Sequence, residues 1–278
     1  MTNAYSDLTT IKSASYLNVD VTTHDIYLRK LLEDASRKID KWTGRIFYCL
    51  DATRYFNGAG LKLYLPFDVL SITTLKTDED GDGVYESTLS TTGTANYFLY
   101  PLDDFPKIRL EINPNGNYSS FANGIQKGVE IAGVFGYGDG ISATPYIAAG
   151  TLGTAVLSTT TTGITMATGH SVAAGHTIRI DNEQMYTEVV ATNVLTVKRG
   201  VNSVVPATHA SAATVSVYEY PAPIREACLI TAMRAWKRKD SAFADIIGSP
   251  ETGQITMSKG LDPDVKEVVK MYKKGSYL

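Results

Sequence analysis

Tyr27-LRKLLEDASRKIDKWTGRIFY (27–48) and Pro223-IREACLITAMRAWKRKDSAF (223–243) decide how this chain is read. In the first, Leu28, Leu31, Leu32, Ala35, Ile39 and Trp42 recur at spacings of three and four, which draws one apolar stripe along a helix. Thr22 or Thr23 is placed to cap its start, Asp25 suits the positive end of the dipole, and Gly44 is placed to end it in the left-handed conformation. The second opens on Pro223, a good first-turn residue, and is apolar over most of its circumference until Lys237. Each helix alone buries one face, so the two are expected to pack on each other.

A third helix is expected from Asp262-Pro-Asp. Asp262 caps it, Pro263 takes its first position, and Val265, Val268, Val269 and Tyr272 make its stripe, with Lys270, Lys273 and Lys274 at its negative end. Between the first two helices the texture is strand and turn. Arg54-YFNG and Leu61-KLYLP read as a hairpin around 57–60, and Val69-LSITTLKT and Val84-YESTLS as strands joined by Asp78-EDGDG. Tyr97-FLYP, Ile108-RLEI and Val129-EIAGVFGYG follow. From about residue 141 to 219 the chain is rich in Thr, Ala, Val and Ser and poor in charge, and it alternates well, which reads as a separate small β-module. The expected class is therefore α+β. A helical core (the N-terminal helix, a second near 223–239 and a C-terminal helix) carries an antiparallel β-region across 1–140 and 220–278, and a small all-β domain is inserted at 141–219.

The charge of −3 gives no overall signature of nucleic-acid binding. Cys49 and Cys228 read as reduced core thiols. No apolar run approaches the ~20 residues of a membrane span. The first residues lack the basic-then-apolar pattern of a signal peptide, so the chain is expected to be made in the cytoplasm.

The sharpest local motif is Asp78-Glu-Asp80-Gly-Asp82-Gly-Val-Tyr-Glu86. Asp78, Asp80 and Asp82 match positions one, three and five of a calcium loop, with glycine at position six and Glu86 at position nine. Position twelve is Leu89, where a full EF-hand needs a bidentate Glu, and strands replace the flanking helices. The motif reads more simply as an acidic hairpin turn, because Asp and Gly are turn formers. His24, His170, His176 and His209 form no metal-binding spacing and read as loop residues. No nucleophile elbow, Walker loop or C-x-x-C is present, so the chain is read as non-enzymatic. The run Arg234, Lys237, Arg238, Lys239 reads as a solvated helix end or as a face toward DNA or an acidic partner. Seventeen tyrosines suit either a β-rich protein or surfaces buried in a complex.

Taken in order, Leu31-LEDASRKIDKWTGRIFY, Leu65-PFDVLSITTLKTDEDGDGVYE, Val129-EIAGVFGYG, Pro221-APIREACLITAMRAWKRKDSAF, Gly253-QI and Asp262-PDVKEVVKMYKK resemble the head–tail connector (adaptor) proteins of tailed phages. The resemblance covers roughly 5–140 and 220–278. It implies a virion protein forming a ring, typically twelvefold, below the portal protein. Such a ring extends the DNA channel without sequence-specific binding and presents a surface to a tail-side connector, stopper or tail terminator. It also implies that the C-terminal segment, with Lys270, Tyr272, Lys273, Lys274 and Tyr277, reaches the portal. Arg234, Lys237, Arg238 and Lys239 would face the channel or a neighbouring subunit. The inserted module resembles one seen in other phage structural proteins, through Gly175-HTIRIDNEQM and Leu195-TVKRGVN, and would sit at the ring's periphery. A different class of reading, a calcium-assisted carbohydrate- or host-surface-binding module, rests on the acidic loop and the same module.

Overall fold

The computed structural model describes residues 3–138, 146–240, 246–247, 255–256 and 260–275. Among them the chain is built mostly of two six-stranded antiparallel sheets. The helices are α1 (Leu8–Lys12), α2 (Asp25–Thr43), α3 (Ala222–Asp240) and α4 (Pro263–Tyr272). None is long and apolar enough to cross a membrane.

The expected α+β class, a helical core with a β-module inserted into it, is therefore not what the chain adopts. Its residues divide into two compact units, one of Met1–Gly44 with Tyr146–Lys274 and one of Arg45–Pro145 with Gly275–Leu278. The helices thus share a unit with the later sheet, and residues 146–219 do not stand apart from them. Hydrophobic periodicity reports that a helix face is buried, not what buries it.

The unit of Arg45–Pro145 holds β1 (Leu50–Phe56), β2 (Lys62–Thr77), β3 (Ser87–Leu89), β4 (Tyr97–Tyr100), β5 (Lys107–Ile112) and β6 (Val129–Phe135). The order is β1-β6-β2-β5-β4, with β3 paired to the end of β2. The hairpin expected between Arg54-YFNG and Leu61-KLYLP does not form, because β6 lies between the two strands. Gly133 is what lets it lie there. In register between Ala52 and Ile72, its missing side chain leaves room for Ser71, whose backbone oxygen would stand 2.2 Å from an added Cβ. The ladder shifts register on both sides of Ile72, so β2 bulges over this glycine. Leu63, Leu65, Val69, Leu75, Leu110, Ile131 and Phe135 make the core.

The other unit carries β7 (Tyr146–Thr151), β8 (Gly163–Thr165), β9 (Thr177–Ile180), β10 (Glu183–Ala191), β11 (Val194–Lys198) and β12 (Thr214–Tyr218), in the order β7-β12-β9-β10-β11-β8. Ile164, Ile178, Ile180, Met185, Leu195 and Val215 fill its core. α2 and α3 meet as their stripes predict: Ser36 Oγ lies 3.4 Å from Cys228 Sγ, and Tyr27 packs on Trp236. The start of α2 differs from expectation. Neither Thr22 nor Thr23 caps it by side chain; both lie in a short 3₁₀ turn, Thr22–His24, that leads into it. Gly44 ends α2 at φ 70°, and the Asp262 carboxylate accepts the Asp264 N–H at the start of α4.

Residues 3–11 bind the helices to this sheet. Asn3, Tyr5 and Ile11 are wholly buried. The Tyr5 N–H donates to Ser36 Oγ at 2.9 Å, and its phenol bonds Asp40. Asn3 Oδ1 accepts from Thr177 Oγ1 on β9 and from the Tyr220 hydroxyl just before α3. Arg29 of α2 also donates to the Glu188 carbonyl of β10 at 2.8 Å.

Replacing Gly133 by alanine forces backbone apart at the β2 bulge, and is expected to cost about 1–3 kcal/mol in urea unfolding. Gly163→Ala, where an added Cβ meets nothing within 4 Å, should change stability by less than about 0.5 kcal/mol. Equal effects of the two would refute this account of the sheet order.

Candidate functional site

The hairpin between β2 and β3 begins where Thr77 pairs with Ser87, so both ends of the acidic motif are held by one ladder. Asp78 is buried, its N–H donating to the Gly128 carbonyl at 2.9 Å. Its carboxylate turns inward, Oδ1 accepting from Gly81 N–H at 2.6 Å and Oδ2 from Gly83 N–H at 3.0 Å. Gly81 and Gly83 take φ of 87° and 89°, which the tight winding requires and L side chains disfavour. Asp80 accepts from Asp82 N–H and Asp82 from Val84 N–H, each two residues on, the local turn chemistry of aspartate. Glu86 accepts the Glu79 N–H at 3.0 Å.

This brings all four predicted ligands together: one carboxylate oxygen from each of Asp78, Asp80, Asp82 and Glu86 lies within 4.8 Å of the others. Asp78 is inside; Asp80, Asp82 and Glu86 are exposed. A hard cation with oxygen ligands fits such a donor set. So does a hairpin turn stitched by its own side chains, because every bond named above forms without an ion.

The second cluster lies on the helices. Arg234 is half-buried and binds Asp262, so it clamps α3 to the capping residue of α4. Lys237 is exposed, Arg238 is partly buried, and the Lys239 ammonium sits 3.8 Å over the Trp236 ring. Lys270 and Lys273 are exposed at the end of α4. Tyr272 is half-buried, and burial pushes its phenol up from the ordinary value. Lys274 returns its N–H to the Thr43 carbonyl at 2.7 Å, tying the end of α4 to the end of α2. Tyr277 lies outside the described residues. A groove of about 230 Å³ opens beside Arg234, between Lys38 and Trp42 of α2, Arg238 of α3 and Leu261 before α4.

Neither cysteine is a candidate nucleophile. Both are free and buried, and burial pushes the Cys228 thiol up to about 11, only partly opposed by its bond with Ser36.

One polar constellation is invisible in sequence spacing. Glu183, at the start of β10, is wholly buried and held by the Arg199 fork, with Nε on Oε1 and Nη2 on Oε2 at 2.6 Å each. Its Oε2 also takes the Ala207 N–H at 2.7 Å. His209, read from sequence as a loop residue, is buried, its Nε2 2.9 Å from Glu183 and its Nδ1 2.7 Å from Asp181. Arg199 donates further to the carbonyls of Thr161 and Ala207. Burial alone would raise the Glu183 carboxyl; the bonds from Arg199, Ala207 and His209 outweigh it, and the value falls below the ordinary one. The network fastens the 199–209 segment to the start of β10. The one sequence signal was charge: Glu183 and Arg199 are two of only seven charged residues between 146 and 219.

Because Glu183 is depressed in the folded state, its contribution is complete above the ordinary carboxylate range and is lost as pH falls through the folded value. The melting temperature should therefore drop on acidification below about pH 4. Glu183→Gln, which leaves Arg199 buried without its counter-charge, should cost about 3–5 kcal/mol at pH 7 and flatten that acid limb. An unchanged acid limb would refute the assignment.

For the hairpin, Asp78→Ala strands two backbone N–H groups and should cost about 1–3 kcal/mol without any metal. Asp80→Ala should cost under about 0.5 kcal/mol in chelator. If the carboxylates hold calcium, titration calorimetry of the wild type gives a binding heat that Asp80→Ala removes; equal silence in both leaves the turn alone.

No known family model matches this chain, and no curated protein matches it.

Proposed function

We propose that this chain is a structural subunit of a tailed-phage virion, a head–tail connector that assembles as a ring below the portal. What carries the reading is the ordered series of segments that resembles connectors, running from Leu31 through Leu65, Val129 and Pro221 to Asp262. Several of those segments coincide with features having their own physical reason here. The first and the Pro221 segment are α2 and α3, packed together; the Val129 segment contains the glycine that β2 bulges across; and the Asp262 segment is the capped α4. Exposed cations along α3 and α4, and half-exposed Tyr55, Tyr64 and Phe98 on the other unit, support a chain that works by contact with other macromolecules.

In this reading the exposed Lys270 and Lys273, with Tyr272 and Lys274, face the portal. Arg234 serves as an internal clamp, while Lys237, Arg238 and Lys239 face a neighbouring subunit or the DNA channel. The ring is a homo-oligomer, twelvefold by analogy with the family, located at the head–tail interface. A tail-side protein docks on its far surface, and DNA passes without sequence-specific contacts. A second reading, a calcium-assisted carbohydrate- or host-surface-binding module, draws on the carboxylate cluster of the β2–β3 hairpin.

Electron microscopy of the full chain mixed with the portal protein of the same genome tests the first reading. Ring-shaped density added to the portal is expected, and Lys270→Glu/Lys273→Glu should reduce its occupancy by about tenfold or more. A chain that neither forms rings nor binds the portal would overturn the proposal; chelator-sensitive glycan binding in its place would favour the second reading.

A further inference from the structure

β1 breaks its own alternation once. Ala52 and Phe56 turn toward the core of the Arg45–Pro145 unit, and the residue between them on that face is Arg54. An apolar side chain is what the pattern calls for there, and a local rule broken in this way marks a functional position more often than a structural one. The guanidinium lies in a corner between two near-perpendicular rings, with Cζ 3.8 Å from the centroid of Phe67 and 4.9 Å from that of Phe135. It has no counter-ion. The unit's other two arginines are engaged, Arg45 with Asp68 at 2.7 Å and Arg109 with Glu111 at 2.9 Å. Among the described residues Arg54 has neither ion pair nor hydrogen bond, and its Nε is buried without a partner. Burial lowers the guanidinium below its ordinary value, the mark of a charge taken partly out of water with nothing opposite it.

A second feature adjoins this one. β1 is the last strand of its sheet: it pairs β6 on one side, and among the described residues no backbone group bonds the other. Asp51, Thr53 and Tyr55 are exposed along it. An open edge of seven residues is a template for another strand.

We infer that β1 receives an extended acidic segment of a partner protein as an added strand, with a carboxylate of that segment taken by Arg54. A strand docked on β1 places every second side chain on the face where Arg54 stands, and the planar fork of arginine matches a carboxylate there. Opposite charges in cross-strand register attract. Residues two before and two after the acid fall opposite Ala52 and Phe56, so aliphatic side chains suit those positions. A phosphate backbone also offers oxygens to an arginine, but it has no ladder of N–H and C=O groups for the open edge. The contact goes beyond the ring reading and does not require a ring. Inward-pointing charge is also a device that keeps edge strands from pairing, and an Arg54→Met chain separates the two roles.

Fluorescence anisotropy of labelled, capped heptapeptides against the full chain tests this. The probe alternates threonine and valine about a central glutamate. It should bind the wild type, and the same peptide with central glutamine should bind at least about tenfold more weakly. Arg54→Met, apolar and close in volume, should melt no earlier than the wild type and should bind both peptides with the weaker affinity. Proline at the two positions before the glutamate removes a ladder donor in either register and should weaken binding at least as much. A wild-type chain that ignores both peptides or binds them equally, or an Arg54→Met chain that still distinguishes them, overturns the site and leaves the ring reading standing. So does binding of oligothymidylate that Arg54→Met removes in the absence of peptide binding, which makes Arg54 a phosphate contact. Self-association of Arg54→Met where the wild type binds no peptide makes it an edge guard and overturns the site equally.

Discussion

The burial of residues 3–11 is the constraint on which the helical unit depends. α2 and α3 each bury a stripe, but two helices meeting along a narrow seam leave their outer faces open. The stretch from Asn3 to Ser6 covers part of that surface. It is fixed by directed bonds at both ends: Tyr5 to Ser36 and Asp40 on α2, Asn3 to Thr177 and Tyr220 on the sheet side. Ser36 is central to this. Its hydroxyl donates to the Leu32 carbonyl, accepts the Tyr5 N–H and lies against Cys228, so one small side chain links strap, α2 and α3. Gly175 keeps the sheet side open to the strap, since an added Cβ would stand 2.8 Å from the Leu8 nitrogen. The helices and the later sheet are therefore one body.

Local chemistry was legible in the sequence to the extent that it is local. Gly44, Asp262 and Pro263 end or start helices because a cap needs only its nearest neighbours, and the β2–β3 hairpin was legible because its turn residues lie between its strands. Apart from the pairing of α2 with α3, what failed was whatever depends on a distant partner. Arg54 and Leu61 flank Asn-Gly-Ala-Gly, which reads as a hairpin, yet Arg54–Phe56 pairs with Val129–Ile131 and Lys62–Tyr64 with Arg109–Glu111, each more than 40 residues on. The signal for that was Gly133 in the middle of a strand, which marks close backbone approach but does not say to what. The candidate ligands Asp78, Asp80, Asp82 and Glu86 converge because a nine-residue loop has little freedom to separate them. The side chains of the Glu183 network come from positions up to 28 apart, and no spacing rule predicts a histidine meeting two carboxylates of another hairpin.

The two polar networks do different work. Glu183, Arg199 and His209 are withdrawn from water, and replacing such a cluster by apolar residues of equal volume is often neutral for stability. Its effect is to select one path for residues 199–209, of which Val201 is the one buried aliphatic side chain. Asp78 acts similarly on a smaller scale: a buried carboxylate taken up by two backbone N–H groups fixes the loop that carries its exposed neighbours.

That division between inner and outer carboxylates bears on association. Docking orders side chains and loops, and each mobile group immobilised costs about 0.5–1.5 kcal/mol. In the β2–β3 hairpin much of that ordering is already done by the fold. Asp78 and the Thr77–Ser87 pair set the backbone, and the turn bonds of Asp80 and Asp82 hold their side chains in place while leaving them in solvent. A surface ordered in this way loses little further entropy on meeting a partner, yet exposed ion pairs contribute only about 0.2–1 kcal/mol each. A single such contact is weak. In the ring proposed above, closure would offset that weakness, since the last subunit gains two contacts for one loss of translational freedom.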